Sequence, residues 1–250
     1  MRSKSKNANV DSSRIASIDL LRGLVMVVMA LDHVRMYFGL GTWYSSPTDL
    51  ATTTPGLFFT RWITHFCAPV FIFLAGTSAF LRGAKSTSTS HTALFLLTRG
   101  LWLVAVELVI VNFGWTFDFT YSVLILQVIW AIGISMIVLA GLVFLPMPGI
   151  LAIGLILVLG HNLLDPISRH GLGFLDYAWY ILHQPQFITS NGRLISIFYP
   201  VLPWAGLMAL GYAFGTVFKS EVPMARRTSL LLAAGIGATI LFVILRLFNS

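Results

Sequence analysis

Charge is what this 250-residue sequence has least of: Asp, Glu, Lys and Arg together make up 10%, against about 25% in an ordinary soluble domain. A chain so poor in charge cannot cover a water-facing surface, and burial in one aqueous core does not account for apolar runs this long and numerous. A single cysteine, Cys67, excludes a disulfide framework within the chain and any metal site built on thiolates. Short segments of alternating polarity are missing, which excludes a transmembrane β-barrel. No repeat of fixed period and no compositional shift marks a separate soluble domain. The first apolar run lacks the short core and small-residue cleavage site of a signal peptide, so it reads as a retained helix.

What is present is hydrophobic residue, 57% of the chain, gathered in runs near the roughly 20 residues that cross a bilayer as a helix. The sequence predicts an all-α, polytopic transmembrane bundle of about seven spans: 18–40, 57–81, 91–112, 121–145, 150–164, 194–218 and 229–248. Pro146 and Pro148 break the chain between the fourth and fifth. Residues 165–193 read as a polar, aromatic loop. Residues 1–17 form a basic tail, and 18–250 a single bundle. Eleven of the 16 Lys and Arg residues fall on the N-terminal tail's side of the predicted spans, which places the N-terminus in the cytoplasm. The net charge of +7 lies at the ends of apolar runs; this is membrane topogenesis, and nucleic acid is not an expected partner. Stretches such as Ala233–Ala238 can pack helices within one chain or between copies, so an oligomer is possible.

Ionisable groups inside a span are costly and call for a reason. Several fall at a similar outer depth: Asp32, His33 and Arg35 on the first span; Arg61 and His65 on the second; Glu107 and Asn112 on the third; Gln127 on the fourth; His161, Asn162 and Asp165 at the end of the fifth. If all face inward, they line one cavity. Each also has a plain structural reading: Asp32 and Arg35, at i and i+3, suit an intrahelical ion pair, and an imidazole can simply donate to a backbone carbonyl. Glu107, in an apolar stretch, must be protonated, paired or solvated. His170 and His183 carry less weight as loop residues, and His91 reads as a surface histidine. Nearer the inner face, Asp19 and Arg22 open the first helix and Arg99 lies a turn or two into the third; arginine suits phosphate recognition, and both arginines also suit a topology anchor. Pro69 implies a kink in the second span.

Arg14-Ile15-x-Ser17-Ile18-Asp19-x-x-Arg22-Gly23, followed by Ala68-Pro69-Val70-Phe71-Ile72-Phe73-Leu74-Ala75-Gly76-Thr77-Ser78, then Thr98-Arg99-Gly100-Leu101-Trp102 and Tyr199-Pro200-x-x-Pro203-Trp204-x-Gly206, resembles the catalytic domain of the heparan-α-glucosaminide N-acetyltransferase family and its bacterial members. The resemblance implies a bacterial inner-membrane acyltransferase that moves an acetyl group from cytosolic acetyl-CoA to an acceptor, a glycan or envelope molecule, on the far side. It needs no metal. Histidine is the family's catalytic residue. In the animal enzyme that histidine lies in the loop after the first helix, whereas here 39–60 has none, leaving His33 and His65 as the nearest. The expected assignment is therefore His33 or His65 as base or acyl carrier, with Asp32 and Glu107 beside them. Arg22, Arg99 and Asp19 would meet the donor, and Arg35, Arg61, Asn112, Gln127, His161 and Asn162 the acceptor and oxyanion. Bacterial members look longer, so the resemblance further implies a bundle truncated after its seventh span. The alternative is a proton-coupled small-molecule transporter, since buried carboxylates and histidines also build proton relays.

Overall fold

A computed structural model describes residues 15–39 and 47–248; most of the predicted N-terminal tail lies outside the described residues. The chain divides into two compact units, Met1–Phe71 and Ile72–Ser250. In the first, helix α1 (Ala16–Phe38) and helix α2 (Pro55–Thr64) pack together, and helix α3 (Cys67–Gly83) begins. The second predicted span is thus two helices. The interruption at His65–Phe66 has a cause in Pro69, which has no N–H to donate to the carbonyl of residue 65. Thr54 caps α2, its hydroxyl accepting from the Leu57 N–H.

The second unit continues α3 and adds α4 (Thr89–Val106), which passes through a π-helical turn at Glu107–Val111 into α5 (Asn112–Thr116). Strand β1 (Val123–Leu126), α6 (Val128–Leu142) and α7 (Met147–Gly160) follow, with a 3-10 turn at His161–Leu164. Then come α8 (Phe174–Leu182), strands β2 (Gln186–Ser190) and β3 (Arg193–Ile197), α9 (Val201–Phe214) and α10 (Met224–Phe248). The molecule is mostly helical, but the all-α expectation missed a three-stranded sheet in the order β1-β3-β2. β1 runs parallel to β3, and β2 antiparallel to it. The fourth and sixth predicted spans therefore open with strand: Val-Leu-Ile-Leu and Leu-Ile-Ser-Ile pair with each other, and the helices start only at Val128 and Val201. Asn191 and Gly192, both at positive φ, turn the β2–β3 hairpin, as Asn-Gly does best.

Glycines set the helix packing of this unit. A Cβ on Gly100 would lie 2.6 Å from the Gly133 carbonyl oxygen and 2.8 Å from Ile137, and one on Gly133 3.0 Å from the Val104 side chain; α4 and α6 therefore run antiparallel in close contact. Gly154 faces Leu210 and Gly206 faces Val158, so α7 and α9 are antiparallel too. Gly211 abuts Phe73, and Gly215 abuts Phe80, which makes α3 and α9 run the same way. The core lies among these helices around Ile72, Leu96, Leu139, Ile150 and Met208.

Among the described residues, five helical stretches are long and apolar enough to cross a membrane: Pro55–Gly83 (α2 with α3), Thr89–Thr116, Met147–Leu164, Val201–Phe218 and Met224–Ile244. α6 is apolar but shorter, and Asp19, Arg22, Asp32 and Arg35 keep α1 out of that set. Their outward faces are also apolar, as at Leu94, Leu101, Trp102, Ile156 and Ile236. Exposed apolar surface on this scale belongs in lipid, and the chain is an integral membrane protein.

Candidate functional site

In the first unit, Asp32 gathers two helices. Asp32 and Arg35 share a face of α1, and Arg61 and Thr64 share a face of α2. Arg35 Nη2 donates to Asp32 Oδ1 at 2.6 Å, Arg61 Nη1 to Oδ2 at 2.8 Å, and the Thr64 hydroxyl to Oδ1 at 3.0 Å. The side chains of Arg35, Asp32 and Arg61 are 10%, 20% and 32% exposed. One carboxylate between two guanidiniums leaves a net positive charge, which favours an anion or a developing oxyanion. His65, exposed, donates Nδ1–H to the Arg61 carbonyl at 2.8 Å, which leaves Nε2 as the basic nitrogen. His33, the residue after Asp32, is half-buried. The donors to Asp32 are thus Arg35 on α1 and Arg61 and Thr64 on α2, rather than an imidazole. Asp19 and Arg22 form the expected i, i+3 pair, at 3.7 Å, about 20 Å along α1 from Asp32 at 1.5 Å per residue.

In the second unit, Glu107 and Asn112 flank the π-helical turn and are both fully buried. Glu107 Oε1 accepts from the Gln127 N–H at 3.1 Å, at the N-terminus of α6. Asn112 Nδ2 donates to the Glu107 carbonyl at 2.8 Å and to the Ile125 carbonyl at 3.0 Å, and its Oδ1 accepts from the Ile125 N–H at 2.5 Å. Asn112 thus acts as a surrogate neighbour strand for β1, and Glu107 as a cap for α6. Gln127 enters this cluster through its backbone. Arg99 lies on an exposed face of α4.

His161 donates Nδ1–H to the carbonyl of Val158 or Leu157, at 2.9 and 3.1 Å, and Asn162 beside it is exposed. The residue that sequence reading undervalued is His183. It is buried at the end of α8, with Nε2 3.1 Å from Asp165 Oδ1, its ring 5.2 Å from Trp179 and 6.3 Å from His161 between centroids. His183 follows Tyr180, itself 1% exposed, by one helical turn; that spacing on an amphipathic stretch was the available signal. The supposed loop is tied to itself: Arg169 pairs with Asp176 at 2.9 Å, Gln184 brackets the backbone N–H and C=O of Arg169, and Trp179 Nε1 donates to the Ile167 carbonyl. The structure brings together Asp32, Arg35, Arg61 and Thr64 within the first unit. Within the second it groups Glu107, Asn112 and the Gln127 backbone, and separately His161, Asp165 and His183.

No curated protein and no solved structure matches the chain. The family described as "Heparan-alpha-glucosaminide N-acetyltransferase, catalytic" matches residues 14–245, nearly the whole sequence, and the chain belongs to that family.

Proposed function

We propose that the protein takes an acetyl group from acetyl-CoA on the cytoplasmic side of a bacterial inner membrane and delivers it to an amine or hydroxyl of a glycan or envelope acceptor on the outer side. The observation that carries this reading is the family match over 14–245. The family's description names an N-acetyltransferase acting on a glucosaminide, and acyl transfer from a thioester is the corresponding chemistry. Seven passes are proposed, with α1 and α6 joining the five long apolar helices and the N-terminus inside. The antiparallel α4/α6 and α7/α9 pairs, and the parallel α3/α9 pair, support the alternation that such a path requires.

In this reading Arg22 and Arg99 each contact donor phosphates, with Asp19 positioning Arg22. His65 or His33 receives the acyl group or the acceptor's proton. The Asp32 cluster holds Arg35 and Arg61 near the reacting carbonyl, where a guanidinium stabilises the oxyanion. Asn112, Gln127, His161 and Asn162 are proposed for the acceptor side, with Glu107 orienting Asn112 and the Gln127 backbone. The transporter alternative has no observation in its favour.

The test is calorimetric binding of acetyl-CoA to the purified chain in detergent, followed by acetyl transfer. Arg22→Ala and Arg99→Ala are each expected to weaken binding about tenfold, the loss of one charge-assisted hydrogen bond. His33→Ala or His65→Ala is expected to slow transfer about a hundredfold while binding holds. Transfer that survives both histidine changes removes the first-unit histidines from the chemistry, and a folded protein with no acetyl-CoA binding removes the acyltransferase reading.

A further inference from the structure

His183 combines three properties that the fold does not need from one side chain. It is buried, its Nε2 faces a carboxylate, and its Nδ1 is buried without a hydrogen-bond partner. A leucine at the end of α8 would leave no orphan acceptor, and a buried polar atom without a partner costs stability. With Nε2–H directed at Asp165, Nδ1 carries the lone pair. Asp165, whose side chain is 64% exposed, fixes the tautomer and stabilises the imidazolium that forms once Nδ1 takes a proton, as carboxylate–histidine pairs do in acyl-transfer enzymes. His161, 6.3 Å away between ring centroids, has its Nδ1–H committed to the backbone, so its Nε2 is a second lone pair beside the first. His161 is part-exposed and His183 sealed, which orders them as an outer and an inner group. In the same segment, Arg169 and Asp176 pair with one another at 2.9 Å.

We propose that His183, backed by Asp165, is a catalytic base for the acceptor: its Nδ1 takes the proton from the attacking amine or hydroxyl, and His161 returns that proton to water. The missing donor at Nδ1 is the substrate's own N–H or O–H. The acceptor nitrogen or oxygen attacks the acyl carbonyl, and its bond to that carbon forms as the carbon–sulfur bond breaks. The sulfur leaves with the bonding pair as a thiolate, which gains a proton from water, and the acceptor's proton goes to His183. The proposal rests on the acyl-transfer reading, with transfer direct from the thioester to the acceptor.

The full chain in native membrane vesicles, given radiolabelled acetyl-CoA and glucosamine as the probe acceptor, tests it across pH 5.5–9. His183→Ala is expected to lower kcat about a hundredfold, to leave acetyl-CoA binding within twofold, and to abolish the acidic limb of the pH profile. Added imidazole should restore part of the lost turnover. Asp165→Asn should lower kcat about tenfold and shift the same limb, a change that a purely structural role would not make. His183→Gln, which keeps a polar side chain of similar reach, guards against a folding defect, with acetyl-CoA binding as the check. An active wild type with His183→Ala or His183→Gln within threefold of it, and an unmoved pH profile, overturns the base assignment alone. A wild type that neither binds acetyl-CoA nor acetylates the probe overturns the acyl-transfer reading and this proposal with it.

Discussion

Asp176 holds both ends of one short segment. Its Oδ1 accepts from Arg169 and its Oδ2 from the Gly173 N–H at 3.0 Å, capping α8. Those hydrogen bonds, the Arg169 one first, hold its carboxyl below the ordinary value of 3.8. A depressed folded-state pKa adds stability above the unfolded value and loses it as pH falls through the lower folded one. Acidification below about pH 4 should therefore loosen the segment that carries Trp179 and His183, read as a change in Trp179 emission against a Trp179→Phe control. Asp176→Asn should erase that acid transition. Asp118 is shifted the same way, chiefly by the Ser122 hydroxyl and then by Thr120, so a second acid step that persists in Asp176→Asn belongs to that loop. At this scale the sequence was partly readable: the pairs Asp19–Arg22 and Asp32–Arg35 follow from helical spacing alone. Arg61 closing on Asp32 from 29 residues away, and His183 on Asp165 from a later helix, depend on tertiary contacts that no local pattern encodes.

Between elements, close approach decides the cost of a methyl group. A Cβ at Gly211 would meet the carbonyl of Phe73, and one at Gly76 the carbonyl of Met208; neither is the end of a flexible side chain, so α3 and α9 must part. Gly211→Ala should cost about 1–3 kcal/mol, the range for overpacking. Gly235→Ala on α10, where nothing lies within 4 Å, should be neutral or slightly stabilising through helix propensity. Thermal unfolding in one detergent compares them, and equal effects would contradict the tight α3–α9 contact. The same elements show why strand was misread as helix. Val123–Leu126 and Arg193–Ile197 are short and apolar, bordering longer apolar runs, and such a run gives no periodicity to separate strand from helix. The Asn191-Gly192 turn was the local sign that went unused. The helices α4, α7 and α10 were legible because each is a long apolar run with a clear start.

For the molecule as a whole, α6 decides the number of passes. Its 15 residues reach about 22 Å at 1.5 Å per residue, short of a hydrocarbon core of roughly 30 Å. β1 supplies the missing length, about 13 Å for four residues. Strand at membrane depth is tolerated only where its backbone is satisfied within protein; β3 pairs one edge of β1, and at Ile125 the Asn112 amide takes the N–H and C=O of the other. If α6 with β1 is a full pass, three passes separate Thr87 from Ser168, and the two lie on opposite sides of the membrane; if α6 only dips, two passes separate them, and they share a side. Cys67 is buried, so a Cys67→Ala background carrying Thr87→Cys or Ser168→Cys gives a clean reading with a membrane-impermeant maleimide. Intact cells should label Ser168→Cys and spare Thr87→Cys, with the reverse in inside-out vesicles. The opposite pattern would exchange the donor and acceptor faces, taking Arg22 and Arg99 away from cytosolic acetyl-CoA. Labelling of both from one side would reduce α6 to a half-pass and require another account of why Asn112 completes β1.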